Sequence, residues 1–170
     1  NSQGIFVVGS TTGSLERSNP NQGWDPFIRK YNPTYNWGKQ FGITTLTSPD
    51  YGYDVAVDSQ GNSYITGDTF NALGGPNPEQ QRDAYIRKYS PTGTVLWTKQ
   101  FGDIRLSNEA DVAVDGGDNI YLASYETDGV VRKLSSSNGS VLLTITIPPS
   151  ATGGEFNFPQ ALDIDSGGNI

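Results

Sequence analysis

The sequence predicts an all-β fold, and three features of its 170 residues lead to that prediction. Short apolar or alternating runs are separated by turn residues along the whole chain. No window has the 3.6-residue apolar period of an amphipathic helix. The same order of runs also occurs three times, which indicates copies of one supersecondary unit.

The clearest repeat is an Asp-Val-Ala-Val-Asp run, found at 54–58 and 111–115 and followed each time by a turn that ends in Asn. A third copy stands at 162–165. Two other kinds of segment recur at similar intervals. One is found at Asp25–Tyr31, Asp83–Tyr89 and 128–134, and the other at 37–42 and 97–102. Three units, at about 4–61, 62–118 and 119–168, therefore account for nearly the whole chain.

In the second copy of the pattern, counted from its first strand, the runs predict four strands over 53–58, 63–67, 84–90 and 95–101. The first two strands are joined by Asp58, two turn residues and then Gly61 and Asn62, a pair that tolerates positive φ. The Asp carboxylate of such a turn accepts hydrogen bonds from its N–H groups. Four antiparallel strands in a unit of about 50 residues predict one blade of a β-propeller. The chain is thus expected to be a partial propeller of about three blades, with the second strand of a blade coming first.

These segments resemble the bacterial β-propeller repeat family abbreviated SBBP, a relative of the NHL-type propeller repeats. The resemblance lies in the Asp-x-x-Gly-Asn turn and in the runs at 63–67, 86–93 and 97–102. It implies a propeller, commonly in exported or surface proteins of bacteria, with no single shared activity. The third unit departs from the pattern at Ser124 and Leu143, so its blade is expected to keep its strands with some distortion.

The composition excludes several classes of chemistry. The chain has no His and no Cys, which excludes Ser-His and Cys-His nucleophile pairs, His-ligated metals and disulfides. Its net charge of -7 disfavours nucleic acid and anionic membrane surfaces as partners, and no apolar stretch is long enough to span a membrane. A charged fraction of only 17%, with abundant small polar residues, favours a secreted or cell-surface location.

The repeated acidic residues have two interpretations. Asp58, Asp115 and Asp165 supply the hard oxygen ligands that calcium prefers. The spacing Asp54-x-x-x-Asp58 lacks the dense alternation of Asp that lets one loop give three ligands. We therefore interpret these residues as structural parts of turns and expect no cofactor, with calcium as the alternative.

The fourth strand carries Trp and Phe on one face, together with a Lys. Side chains alternate along a strand, so Trp37, Lys39 and Phe41 share a face, as do their counterparts at 97, 99 and 101. We predict that the aromatic rings pack between blades and that the Lys protects an exposed edge strand. The run at 92–97 also resembles the Thr-Gly-x-x-x-Trp docking motif of quinoprotein propellers. The third copy, at 141–147, lacks these residues, so we expect a partner or an adjacent segment to cover that edge.

The long connections predict where binding takes place. Those at 10–24, 43–50, 68–82, 103–109 and 148–158 emerge on one face of a propeller, whereas the opposite face has short, nearly identical turns. Variable loops on a rigid scaffold are where binding is usually built. Trp24 and Phe70, with nearby Asn and Asp residues, are the candidate contacts to a protein or a glycan.

Three functions follow as hypotheses. The first is a non-catalytic scaffold or recognition module, and the second is a structural subunit of a filament or larger surface assembly. The third is a quinoprotein-like or carboxylate-based enzyme, for which the loops offer Glu16, Asp68, Glu79 and Glu155. We predict that the protein is not an enzyme. Because roughly four to eight blades close a ring, further blades must come from the same polypeptide or from a second copy.

Overall fold

The computed structural model describes residues 4–19, 22–43, 49–77, 81–102, 110–125, 128–148, 159, 161–165 and 168–170. These residues contain eleven strands and no helix, so the predicted all-β class is confirmed. Within these ranges no helix is long and apolar enough to cross a membrane.

The strands form three antiparallel sheets, which we call blades 1 to 3. Blade 1 contains β1 (Ile5–Thr11), β2 (Asp25–Tyr31) and β3 (Tyr35–Gln40), in that order. Blade 2 contains β4 (Asp50–Val57), β5 (Ser63–Thr69), β6 (Asp83–Tyr89) and β7 (Val95–Phe101). Blade 3 contains β8 (Asp111–Val114), β9 (Ile120–Tyr125), β10 (Gly129–Leu134) and β11 (Val141–Ile147). The three sheets form a partial propeller, and the four strands of blade 2 lie where the sequence predicts them.

The third and fourth strands of every blade share one irregularity in register. The pairing shifts after Lys30 in blade 1, after Lys88 in blade 2 and after Lys133 in blade 3. The extra residue lets the fourth strand twist away from the sheet while the preceding pairs stay in register. The pairing of β4 with β5 has a second register shift, between Gly52 and Asp54. The pairing of β8 with β9, the equivalent strands of blade 3, has none.

The hydrophobic core lies in two layers between the blades. The layer between blades 1 and 2 contains Ile28, Trp37, Phe41, Ile65, Tyr85 and Tyr89. The layer between blades 2 and 3 contains Tyr64, Ala84, Ile86, Ile120, Leu122 and Leu134. Each blade is therefore stabilised mainly by its neighbours, because a single sheet cannot bury its own apolar faces.

The Trp of the fourth strand docks onto the next blade, as predicted. Trp37 Nε1 donates to the carbonyl oxygen of Pro91 at 2.9 Å, and its ring lies against Gly93. Trp97 Nε1 donates to the carbonyl oxygen of Ser136 at 3.2 Å, and its ring lies against Gly139. Both glycines have positive φ, 80° and 70°, so the turn presents bare backbone to the indole.

The Arg-Lys pairs of the third strand connect the blades in both directions. Arg87 lies over the ring of Phe41 in the preceding blade at 4.2 Å, and Arg132 lies over Phe101 at 4.9 Å. Lys88 points the opposite way and donates to the carbonyl oxygen of Ser136 in the following blade at 2.8 Å. Alternation along the strand thus gives Arg87 and Lys88 of blade 2 partners on opposite neighbours.

Blade 3 keeps its strands despite its departures from the repeat. Ser124, which stands where blade 2 has Gly67, accepts a hydrogen bond from Arg132 Nη1 at 3.1 Å. All seven residues of β11 are exposed, in contrast to the half-buried β7. Leu143 is 52% exposed where blade 2 has the docked Trp97.

Candidate functional site

The short turns between the first and second strands are closed by one carboxylate each. In blade 2, Asp58 Oδ1 accepts the N–H groups of Gln60 and Asn62 at 3.0 and 2.8 Å. Its Oδ2 accepts from the Asn62 side chain at 2.7 Å and from the Tyr64 hydroxyl at 2.9 Å. The oxygens that calcium would need are thus engaged by the turn itself.

The two other calcium candidates lie in equivalent turns of their own units. Asp115 Oδ1 accepts the N–H groups of Gly117 and Asn119, both at 2.9 Å, and Asp165 Oδ1 accepts that of Asn169 at 2.9 Å. Burial acts to raise the pKa of Asp115, but the hydrogen bonds from Asn119 outweigh it and the pKa is lowered. The structure does not bring the three carboxylates together, and the described residues contain no group of three or more acidic side chains able to hold a metal ion.

The long loop of blade 1 is held by a single glutamine at the end of β3. Gln40 Oε1 accepts the N–H groups of Leu15 and Glu16 at 2.8 and 3.0 Å. Its Nε2 donates to the carbonyl oxygen of Gly13 at 2.9 Å and to Asp25 Oδ2 at 2.8 Å. Gln40 is buried, so these four bonds fix the loop to the sheet.

Blade 2 holds its long loop in the same way. Gln100 Oε1 accepts the N–H groups of Leu73 and Gly74, both at 2.9 Å, and its Nε2 donates to Asn71 and Asp83 at 2.8 and 2.7 Å. Blade 3 has Thr146 at this position, and only residues 126–128 separate its second and third strands. The glutamine is thus found where there is a long loop, and it fixes the loop residues 13–16 and 71–74 to their sheets.

An aromatic surface lies between these two loops. The Trp24 side chain is 47% exposed, and its ring lies 6.2 Å from that of Tyr51. Its carbonyl oxygen accepts the N–H of Asp50 at 2.9 Å, which ties the end of the blade 1 loop to the first strand of blade 2. Tyr51 in turn stacks on Tyr53, with 6.2 Å between centroids and 11° between planes. The irregularity after Gly52 falls between these two tyrosines, where a bulge redirects side chains.

Arg82 joins this surface to the other candidate from the sequence, Phe70. Its guanidinium carbon lies 5.9 Å from the ring centroids of both Tyr51 and Phe70. Trp24 and Phe70, which come from loops of different blades, are therefore linked through Tyr51 and Arg82. We call Trp24, Tyr51, Tyr53, Phe70 and Arg82 the aromatic ridge.

The ridge rests on a buried carboxylate. Asp68 pairs with the Arg82 guanidinium and accepts a hydrogen bond from the Tyr53 hydroxyl at 2.8 Å, while Arg82 Nη2 donates to that hydroxyl at 3.1 Å. Burial raises the pKa of Asp68 to about 6 although Arg82 opposes the shift. Burial and the Asp68 charge also raise the pKa of Tyr53 above its ordinary value. Near neutral pH the carboxylate is therefore ionised and holds Arg82 between the two rings.

A second group of carboxylates faces the central cavity. This cavity, of about 540 Å³, is lined by β4, β8 and residues 162–164. Asp54 Oδ2 accepts the N–H of Val112 at 3.0 Å, and Asp111 accepts that of Leu162. Burial and the hydrogen bond with Asp54 raise the pKa of Asp111 to about 7. Each carboxylate thus links the first strand of one unit to that of the next.

The four acidic loop residues considered for catalysis do not form a site in the described ranges. Glu16 binds Arg29 at 2.6 Å, whereas Asp68 binds Arg82 on a different blade. Glu79 and Glu155 lie outside the described residues. A different carboxylate, Asp111, has a raised pKa and lies beside Asp54, and neither residue is among those four.

Sequence reasoning missed the centre of the ridge, which is Tyr51, Tyr53 and Arg82. A signal was present, because Tyr-Gly-Tyr precedes the Asp-Val-Ala-Val-Asp run of blade 2, whereas Asn-Glu-Ala precedes that of blade 3. Arg82 also stands where the first unit has Trp24. Departure from the repeat next to a long loop was therefore the sequence signal for these residues.

Comparisons with known proteins agree with this architecture. Residues 36–72 match the family model SBBP, described as a beta-propeller repeat, which is the family that the repeats resemble. A solved structure of a protein of unknown function from Bacteroides caccae is similar, at 11% sequence identity and a TM-score of 0.50 over 85% of this chain. The chain spans 44% of the length of that structure, and the likeness concerns the fold alone. No curated protein matches the chain.

Proposed function

We propose that the chain is a non-catalytic recognition module of a bacterial exported or cell-surface protein, and that it binds a protein or glycan partner through the aromatic ridge. The observation that carries this proposal is the linkage of Trp24 and Phe70 into one surface on which Trp24 stays 47% exposed. An exposed Trp ring on anchored loops offers a large contact area at little cost in conformational entropy.

The repeat supports this reading of the ridge. The aromatic residues that recur between units, such as Trp37 and Trp97, pack between blades and donate to backbone carbonyls. The ridge residues do not recur, so the packing that every blade needs does not account for them. Divergent side chains on a repeated scaffold are the usual location of binding.

The charge of the ridge favours a neutral ligand. Arg82 is neutralised by Asp68, and the whole chain has a net charge of -7. An anionic partner would therefore find no unpaired cation in the ridge and an unfavourable field around it. Ring faces of Trp and Tyr suit the C–H faces of sugars or apolar peptide side chains.

The test is a screen of the purified chain against an array of neutral oligosaccharides and an immobilised random-peptide library. Ligands from the screen are then titrated against wild type, Trp24→Ala, Phe70→Ala and the control Leu96→Ala. Leu96 is also exposed, at 50%, but lies on β7 away from the ridge. We expect at least a roughly tenfold loss of affinity for the ridge variants alone. Unchanged affinity of both ridge variants for every ligand found would refute the assignment.

A structural subunit of a filament or larger surface assembly is the second candidate. The observation that favours it is β11, whose seven residues are all exposed. An apolar edge strand without charged residues is a template for contact with another chain. Electron microscopy of the purified chain distinguishes this candidate, because a structural subunit assembles into regular polymers without any added ligand.

A further inference from the structure

The long loops of blades 1 and 2 have matching sequences. The loop at 12–24 joins β1 to β2, and the loop at 70–82 joins β5 to β6. The two loops are equal in length, so each residue of the first has one counterpart in the second. Among the residues that recur at matched positions are Thr11, Leu15, Asn19 and Asp25 in blade 1 and Thr69, Leu73, Asn77 and Asp83 in blade 2. Identity at these positions indicates one framework for both loops.

Hydrogen bonds at matched positions support the common framework. Gln40 and Gln100 make the same four bonds in their own blades. At the start of each loop the threonine hydroxyl accepts an N–H, from Gly13 to Thr11 at 3.0 Å and from Asn71 to Thr69 at 2.9 Å. Near the end the asparagine side chain donates to a carbonyl oxygen, from Asn19 to Gly23 at 2.7 Å and from Asn77 to Gln81 at 2.6 Å. The described residues of both loops therefore follow one path, although their other side chains differ.

One contact shows how the framework accepts different residues. In blade 1 the Glu16 carboxylate lies over Gly38 and leaves no room there for a Cβ. In blade 2 the bulk is on the strand instead, because Gly74 of the loop lies over Thr98. Each of these side chains binds the arginine of the adjacent strand, Glu16 to Arg29 at 2.6 Å and Thr98 to Arg87 at 2.8 Å. A larger residue on the loop is thus matched by glycine on the strand, and the reverse.

Two positions at the ends of the loops differ as a pair. In blade 2 they are Asp68 and Arg82, the ion pair beneath the ridge. In blade 1 they are Ser10 and Trp24. The Ser10 hydroxyl accepts the Gly52 N–H at 3.0 Å and has no charge with which an Arg at position 24 could pair. One framework therefore presents an exposed neutral ring in blade 1 and a partly buried ion pair in blade 2.

We propose that the two loops are variants of one recognition element, in which the framework sets the course of the chain and the residue pair at its ends determines which ligand the ridge binds. This role rests on the proposed function of the ridge, and it assigns specificity to Ser10 with Trp24 and to Asp68 with Arg82. Asp68 and Arg82 act as a unit, because either charge alone would be left without a partner. Specificity is a difference in affinity between ligands, and the two pairs offer different contacts: an open apolar ring in one, and a cation between two rings in the other.

A loop graft tests the framework while the ridge residues stay in place. Residues 71–81 are replaced by the sequence of 13–23, together with Thr98→Gly, and thermal unfolding is followed by circular dichroism. We expect this graft to melt within about 4 °C of wild type. The matched control is the same graft with Thr98 retained, in which the grafted Glu meets the Thr98 side chain, and we expect it to melt at least about 4 °C below the graft. A graft that does not fold, or a melting temperature independent of residue 98, would overturn the shared framework.

Exchange of the residue pair tests specificity. Asp68→Ser with Arg82→Trp gives blade 2 the pair of blade 1, and Ser10→Asp with Trp24→Arg makes the reverse exchange. The probes are the neutral oligosaccharide array and the peptide library that also test the ridge. For the two strongest ligands of wild type, we expect either exchange to change the ratio of the two affinities at least about tenfold. We expect the loop graft, which keeps the pair, to leave each affinity within about twofold.

The outcomes separate this role from that of the ridge as a whole. If both exchanges weaken every ligand by the same factor, or change none, the pairs do not determine specificity and the proposal is overturned. If wild type binds no probe, the proposed function itself fails and this role fails with it. Circular dichroism identifies an exchange that does not fold in blade 2, and the reverse exchange then decides, because Trp24 is 47% exposed.

Discussion

The contacts between blades and the aromatic ridge use the same kinds of side chain for opposite purposes. Between blades, Trp37 is 8% exposed and its indole N–H binds a backbone carbonyl of the next blade. On the ridge, Trp24 is 47% exposed and its ring lies beside the partly buried ring of Tyr51. The buried ring has a counterpart in blade 2, whereas the exposed ring does not. Repetition therefore marks the residues that hold the blades together, and its absence marks the candidates for binding.

The largest effect is expected where the repeat is strictest. Trp97→Ala removes an indole that packs on blade 3 and donates to the Ser136 carbonyl, so we expect it to lower the free energy of unfolding by roughly 3 kcal/mol. Urea titration followed by circular dichroism measures the change. A loss below about 1 kcal/mol would mean that the docked Trp is not a main support of the blade contact.

The sequence predicted this part of the structure well, because the same physical need recurs in each blade. A strand between two neighbours must be apolar on both sides, and a two-strand turn must tolerate positive φ, so Ile65 and Gly61 stand in recognisable patterns. The ridge was predicted only at its two ends, Trp24 and Phe70. Its centre depends on the bulge in β4 and on the fixed course of two loops, which are tertiary effects without a local sequence period.

The glycine turn that receives Trp37 is the second place where the blade contact can be tested. A Cβ at Gly93 would lie 2.9 Å from the Trp37 ring, and its φ of 80° is unfavourable for other residues. We expect Gly93→Val to lower the free energy of unfolding by about 2 kcal/mol. The matched control is Gly116→Val, because a Cβ there meets nothing within 4 Å. Thermal unfolding of both variants should separate them, and equal melting temperatures would contradict the docking role of Gly93.

The carboxylate pair of the central cavity gives a smaller effect that depends on pH. The folded-state pKa of Asp111, about 7, exceeds the value of 3.8 expected without the fold. The folded state therefore binds the proton more tightly, and this contribution to stability is lost as the pH rises from about 4 to 7. Asp111→Asn keeps a carbonyl oxygen for the Leu162 N–H and removes the charge.

We expect Asp111→Asn to be more stable than wild type by about 1 kcal/mol at pH 8, with the difference fading toward pH 4, since water in the open cavity screens the pair. Urea titrations at a series of pH values measure both curves. Asp68, whose pKa is also raised, contributes the same pH dependence of stability to wild type and to Asp111→Asn. Its contribution therefore cancels when the two stabilities are subtracted. A difference that does not vary with pH would show that Asp54 and Asp111 do not share a proton.

The smallest effect on stability is expected at Trp24, the most exposed ring of the aromatic ridge. Trp24→Ala removes one contact with Tyr51 but leaves the Trp24 backbone carbonyl, and with it the bond from Asp50, in place. We therefore expect the free energy of unfolding to change by no more than about 0.5 kcal/mol, measured by the same urea titration as Trp97→Ala. Such a small change would support the proposal that the exposed ring contacts a partner rather than stabilising the fold. If Trp24→Ala instead destabilises the chain as much as Trp97→Ala does, the ring is a structural support, and the contrast between the ridge and the blade contacts is lost.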